Sequence, residues 1–82
     1  MTKLTKLIKD RRVLLKITQN ELATKLGFSN GQFSSNVERG ICEWPPKYYK
    51  KLCNILRLDL NEMVLEAVDD YWIWLKKEVK QR

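Results

Sequence analysis

Histidine is missing from all 82 residues. With it goes the commonest general base and the commonest metal ligand, so an enzyme reading starts without its usual machinery. Cysteine is nearly missing. Cys42 and Cys53 stand eleven apart, which fits no metal-binding motif, and Cys53 reads as a small buried hydrophobe. No cofactor and no metal site is implied. No apolar run approaches the roughly 18 residues of a membrane span. The N-terminal "MTKLTKLIKD" has no uninterrupted apolar segment of the kind a secretory signal needs. The chain is expected to be cytoplasmic, with no membrane contact.

Strand signals are lacking too. No alternating run survives beyond four residues, and the Asn-Gly of "SNGQ" has polar neighbours rather than strand patterns on its flanks. With three glycines and two prolines there is no repeat, low-complexity tract or long linker, so residues 1–82 read as one domain. A chain this short buries only about 60–65% of its unfolded surface. A partner subunit is a common remedy.

What the chain does have is helical periodicity and positive charge. The net charge is +6, with eleven Lys or Arg against four Asp or Glu in residues 1–51, and five against six in residues 52–82. A basic front and a locally acidic tail suggest a polyanion-binding surface with a second job behind it. "LTKLIKDRRVLL" places Leu4, Leu7, Ile8 and Leu15 on one stripe with Arg11 and Arg12 beside it. "TQNELATKLG" opens with a capping box, Thr18 and Glu21, and Gly27 suits the left-handed residue that ends a helix. Gly40 stops the next segment. "ICEWPPKYYKKLCNIL" restarts at its prolines, with Tyr49, Leu52, Cys53 and Leu56 on the core side. Asp59 and Glu62 predict a second capping box for a last helix running to about Lys80. The fold class is all-α, with five helices.

Between Gly27 and Gly40 lies "FSNGQFSSNVERG", a run rich in Ser, Asn and Gln in which Phe33 and Val37 are spaced like one helix face. Two short helices with a glycine in the turn between them outline a helix-turn-helix. Ala23 sits four residues after Gln19 and four before Gly27, and must be small if a second helix crosses close above it.

On these residues, "ITQNELATKLGF…VERG" resembles the Cro-like, or XRE, family of phage-repressor DNA-binding domains. The resemblance extends over roughly residues 4–65 and includes the closing "LRLDLNEMV". It implies a five-helix bundle of the phage-repressor type, with helices 2 and 3 as the helix-turn-helix and an extended C-terminal helix. The segment from Gly27 to Arg39 is one residue longer than is usual for the family. The extra residue is placed in the turn, around Phe28 to Asn30, so that Ser34 falls where the family puts an apolar anchor and Val37 takes the second anchor.

The resemblance implies a recognition helix in the major groove, and that accounts for the polar run. Outward residues there must donate and accept hydrogen bonds and stay short. Gln and Asn can each make two bonds to adenine, and Ser can serve either role. Gln32, Ser35 and Asn36 are the expected base-contacting residues, with Phe33 turned outward against a thymine methyl. Free N–H groups at the starts of the second and third helices attract phosphates, helped by Thr18, Gln19, Ser29 and Asn30. Arg39, Lys47 and Tyr48 are expected to flank the DNA backbone. Arg12 and Glu38 fall where the family forms an ion pair between its first and third helices.

The tail "LNEMVLEAVDDYWIWLKKEVKQR" is long for a fifth helix of this family. Leu60, Val64, Ala67, Val68, Tyr71 and Leu75 form a stripe, and Trp72, Ile73 and Trp74 spread apolar surface around the rest. Exposed Trp and Tyr mark an interface. Residues 60–80 are therefore expected to make a homodimer through Val68, Tyr71, Trp72 and Leu75, with the front four helices carrying their own caps and core upstream of residue 65. The functional expectation is a double-stranded-DNA-binding transcriptional regulator, a repressor on a palindromic operator. The alternative is an antitoxin-like interaction module that grips a partner protein through the aromatic tail.

Overall fold

Helix α1 (Lys3–Leu14) begins where the Thr2 hydroxyl oxygen accepts the Thr5 N–H at 3.1 Å. It is followed by α2 (Gln19–Lys25), α3 (Gln32–Glu38), a single 3-10 turn at Pro46–Tyr48, α4 (Tyr49–Leu56) and α5 (Leu60–Lys80). The computed structural model describes residues 2–80, and those residues form five α-helices and no strand. None of the helices is long and apolar enough to cross a membrane.

The helices are short because their ends are strongly specified. Thr18 and Glu21 close a reciprocal capping box, at 3.0 and 3.1 Å. Four helices stop by one device, a left-handed residue followed by a backbone bond reaching back five residues. Gly27 (φ 96°) and Gly40 (φ 81°) take that conformation without steric cost, and the returning bonds run from Phe28 to Ala23 and from Ile41 to Asn36, both 2.9 Å. Lys16 (φ 59°) and Arg57 (φ 55°) take it with a Cβ, before the bonds Ile17 to Arg12 and Leu58 to Cys53, both 3.0 Å. Pro45 is extended and Pro46 opens the 3-10 turn, where a missing N–H has no partner to lose. Asp59 Oδ1 accepts the Asn61 N–H at 3.3 Å, and neither bond of the expected box between Asp59 and Glu62 is formed among the described residues.

The core lies where α1, α3, α4 and the first turns of α5 meet, with α2 packed on α3. Leu4, Ile8, Leu22, Ala23, Leu26, Val37, Trp44, Leu52, Cys53, Leu56 and Met63 are buried. Burial of an aliphatic side chain of this size stabilises the fold by about 1.5–3 kcal/mol. Cys53 donates to the Met63 sulfur at 3.2 Å. Burial, with Asp59 adding to it, pushes its thiol above the usual range, so it packs as an inert apolar group.

Ser34 is fully buried, and its hydroxyl oxygen has no hydrogen-bond partner among the described residues. A buried hydroxyl without a partner costs about 1–3 kcal/mol. Ser34→Ala is therefore expected to stabilise the chain by about 1–2 kcal/mol, read as a rise in the urea midpoint. A fall in the midpoint would show that the hydroxyl is bonded after all.

The face that α5 turns to the domain differs from the expected stripe. Met63 is buried, Ala67 half-buried, and Leu60, Val64 and Val68 are exposed. The reason is a tie that fixes the rotation of the helix. Asp70 accepts the backbone N–H groups of Lys3 at 2.9 Å and Leu4 at 3.0 Å, satisfying free donors at the start of α1. Asp69 pairs with the Lys3 ammonium beside it. Glu43 adds to the same end, accepting from the hydroxyls of Thr2 and Thr5 at 3.3 and 3.2 Å. The front four helices thus borrow part of their capping from residues beyond 65, contrary to expectation.

Candidate nucleic-acid interface

The starts of α2 and α3 face each other across an open groove of about 710 Å³, lined by Arg12, Thr18, Gln19, Asn20, Asn30, Gly31, Gln32 and Ser35. Six of these eight were marked by sequence as contact or ion-pair residues. Gly31 and Asn20 explain how two helix starts come so close. A Cβ on Gly31 would lie 2.5 Å from Asn20 Oδ1 and 3.0 Å from the Asn20 backbone nitrogen, so any other residue here would have to push Asn20 aside.

Beneath the groove, Arg12 and Glu38 form a two-pronged pair. Nε reaches Oε2 at 2.8 Å and Nη2 reaches Oε1 at 2.9 Å, while Nη1 donates to the Ile17 carbonyl at 2.7 Å. The two side chains are only 11% and 6% exposed. The pair joins the end of α1 to the end of α3. It sets the angle at which α3 is held, because the paired groups are planar and fit in one geometry.

Gln19, expected beside a phosphate, instead donates its amide to Glu38 Oε1 at 3.0 Å and becomes a third member of this network. Thr18 has both its hydroxyl oxygen and its backbone N–H engaged by Glu21. Asn30 Oδ1 accepts the Gln32 N–H at 2.9 Å and so guides the chain into α3. Each of these residues shapes the groove before it touches anything outside it. Ser29 is exposed and is not part of the groove lining.

On the outer side of α3, the exposed Gln32 donates from Nε2 to the half-buried Asn36 at Oδ1, 2.9 Å away. Ser35 lies beside them, half-buried. Linking two amides one turn apart holds both side chains in defined directions. Arg39 follows at the end of the helix and is exposed.

Phe33 is placed differently from expectation. Its ring stacks on Phe28 at 4.9 Å and meets Trp44 at 5.3 Å, so it is half-buried and not free to press on a thymine methyl. Tyr48 joins the same cluster, 5.4 Å from Phe28 and 6.4 Å from Trp44. The cause is the apolar surface supplied by Trp44, which outweighs any gain from exposing a phenyl ring. Lys47 is exposed, its ammonium 5.3 Å from the Tyr48 ring centre.

The chain matches no family model, no curated protein and no solved structure. The site therefore stands on its own geometry. Sequence reasoning missed Asn20, Gly31, Trp44 and Asp70. Only Trp44 gave a local signal, as a large apolar residue directly before a proline pair. Of the expected interface residues on α5, Val68, Tyr71 and Trp72 are exposed, and Leu75 is half-buried.

Proposed function

We propose that the chain is a sequence-specific double-stranded-DNA-binding regulator, a repressor that binds a palindromic operator as a homodimer. In this reading α2 and α3 are a helix-turn-helix of the phage-repressor type, and α3 enters the major groove. The observation that carries it is the Gln32–Asn36 amide pair on the outer side of a short helix, above a polar groove. Side-chain amides recognise adenine through two hydrogen bonds, and a helix presenting them on its outer side is suited to reading base edges. The exposed Lys47 and Arg39, and a front part that holds most of the net positive charge, supply the phosphate attraction. Gln19 and Thr18 serve mainly to hold the groove. Phe33 is left out of the base contacts because of its stacking on Phe28 and Trp44.

A second reading, the antitoxin-like interaction module, is favoured by one observation, the exposed apolar residues along α5. It does not account for the polar groove.

The test starts by selecting bound duplexes from a random pool. Gln32→Ala and Asn36→Ala are then each expected to cost about 1–3 kcal/mol at the selected site and to leave random-sequence binding nearly unchanged. Lys47→Ala is expected to weaken all duplexes alike and to reduce the salt slope by about one unit. No selected sequence, or a specific-to-random ratio untouched by both amide variants, would refute base reading by α3.

A further inference from the structure

The outer face of α5 carries Leu65, Val68, Trp72, Leu75 and Val79, spaced three, four, three and four apart. That is the heptad spacing of a helix that pairs with another helix. Four of the five are widely exposed: Leu65 69%, Val68 58%, Trp72 56% and Val79 67%. Monomeric proteins rarely leave so continuous an apolar stripe in water. The opposite face, Met63, Ala67 and Asp70, is the one taken by the domain.

Two grooves lie along this stripe on either side of Trp72. One, of about 460 Å³, is bounded by Leu65, Val68, Asp69 and Trp72 together with Glu66. The other, of about 330 Å³, is bounded by Trp72, Leu75, Lys76 and Val79 together with Lys80. In each, four residues stand in the pattern i, i+3, i+4, i+7, which is the four-residue hole that receives a side chain from a facing helix. The first hole is edged by a carboxylate and the second by an ammonium.

We infer that these holes are filled by α5 of a second copy of this chain, running antiparallel, with Trp72 packed against the second copy's Leu75 and Val68 against its Val79. The charges choose the direction. Antiparallel pairing lays the first hole over the second copy's second hole, so Asp69 meets Lys76, and by symmetry the contact occurs twice. Parallel pairing would set Asp69 against Val64 and Lys76 against Tyr71 at the flanks of the seam, burying each charge beside a group that cannot neutralise it. Lys76 is already folded toward the seam, its ammonium 5.9 Å from the Trp72 ring centre. Asp69, held by Lys3 of its own chain, then lies between two cations. This pairing does not depend on whether α3 reads DNA.

The experiment uses the full chain with Cys42→Ser, leaving the buried Cys53 in place. In that background Val68→Cys with Val79→Cys is expected to oxidise to a covalent dimer, since the two positions share a layer across the antiparallel seam. Val68→Cys alone is expected to stay uncrosslinked, because its copies are eleven levels apart, about 16 Å at 1.5 Å per residue. Both positions are exposed, so the fold is retained, which circular dichroism checks. Sedimentation of the unmodified chain is expected to give twice the 9.8 kDa chain mass. Crosslinking of Val68→Cys alone would make the pair parallel and overturn the proposal. So would a monomer in sedimentation, or a dimer that neither cysteine variant captures.

Discussion

Glu38→Ala is expected to lower the unfolding free energy by about 3–5 kcal/mol, the usual loss when one partner of a buried pair is removed. An exposed ion pair is worth only about 0–1 kcal/mol. The 11% and 6% exposure of Arg12 and Glu38 places them in the first class. Without the carboxylate, Arg12 Nε and Nη2 and the Gln19 amide all lose their acceptor in a site largely shielded from water. Arg12 cannot shed its charge to escape the penalty. A domain of this size has a total stability near the low end of about 5–15 kcal/mol, so the single variant stands close to unfolding. A paired variant, Arg12→Met with Glu38→Leu, separates the two contributions. It is expected to recover more than half of the loss, because two apolar groups of similar volume leave no charge stranded. Urea titrations of both variants and the parent chain give the numbers. A loss below about 1 kcal/mol for Glu38→Ala would mean that water reaches the guanidinium.

That pair also shows what kind of information the sequence holds. Arg12 and Glu38 are 26 positions apart, and nothing in local periodicity connects them. They were matched through a resemblance of spacing, not through charge pattern. Local signals did better. The capping box at Thr18, the glycine stops at 27 and 40 and the prolines before α4 act within a few residues, and each stands where the chain's own chemistry puts it. The rotation of α5 was hidden because Asp70 caps a helix that starts 67 residues earlier. Any stripe on so amphipathic a tail looks equally good until that bond is known.

Phe33 was hidden for the same reason. Its spacing from Val37 is compatible with either side of a short helix, and the ring that decides between them, Trp44, belongs to the following loop. Gly31 gave no signal at all. Its φ of −84° is open to every residue, and the preference for glycine comes from Asn20 crowding the space of a Cβ. The groove residues themselves were legible because small polar side chains gather at helix starts, where Thr18 and Asn30 hold the backbone.

Trp44→Ala is the second large loss, expected at about 3–5 kcal/mol as for other buried large aromatics. Trp44 is 2% exposed and forms one side of the ring cluster with Phe28, Phe33 and Tyr48. Each aromatic contact contributes about 0.5–1.5 kcal/mol beyond the area it buries. The loss is not spread evenly. Helix α3 has seven residues, far fewer than an isolated helix needs to persist, so it depends on what its inner face touches. That face consists of Ser34, Val37 and the Phe33 ring, and the first of these contributes a hydroxyl with no partner among the described residues. Removing Trp44 takes away the support under Phe33 and leaves Val37 and the Glu38 pair as the main anchors. The α3 amides are therefore expected to lose hydrogen-exchange protection before those of α1 and α4, and the midpoint of thermal unfolding to fall by more than ten degrees. Trp44→Phe keeps a ring in the cluster and is expected to retain most of both. Uniform loss of protection across all helices in Trp44→Ala would show that the tryptophan serves the whole core, and that α3 is held independently of it.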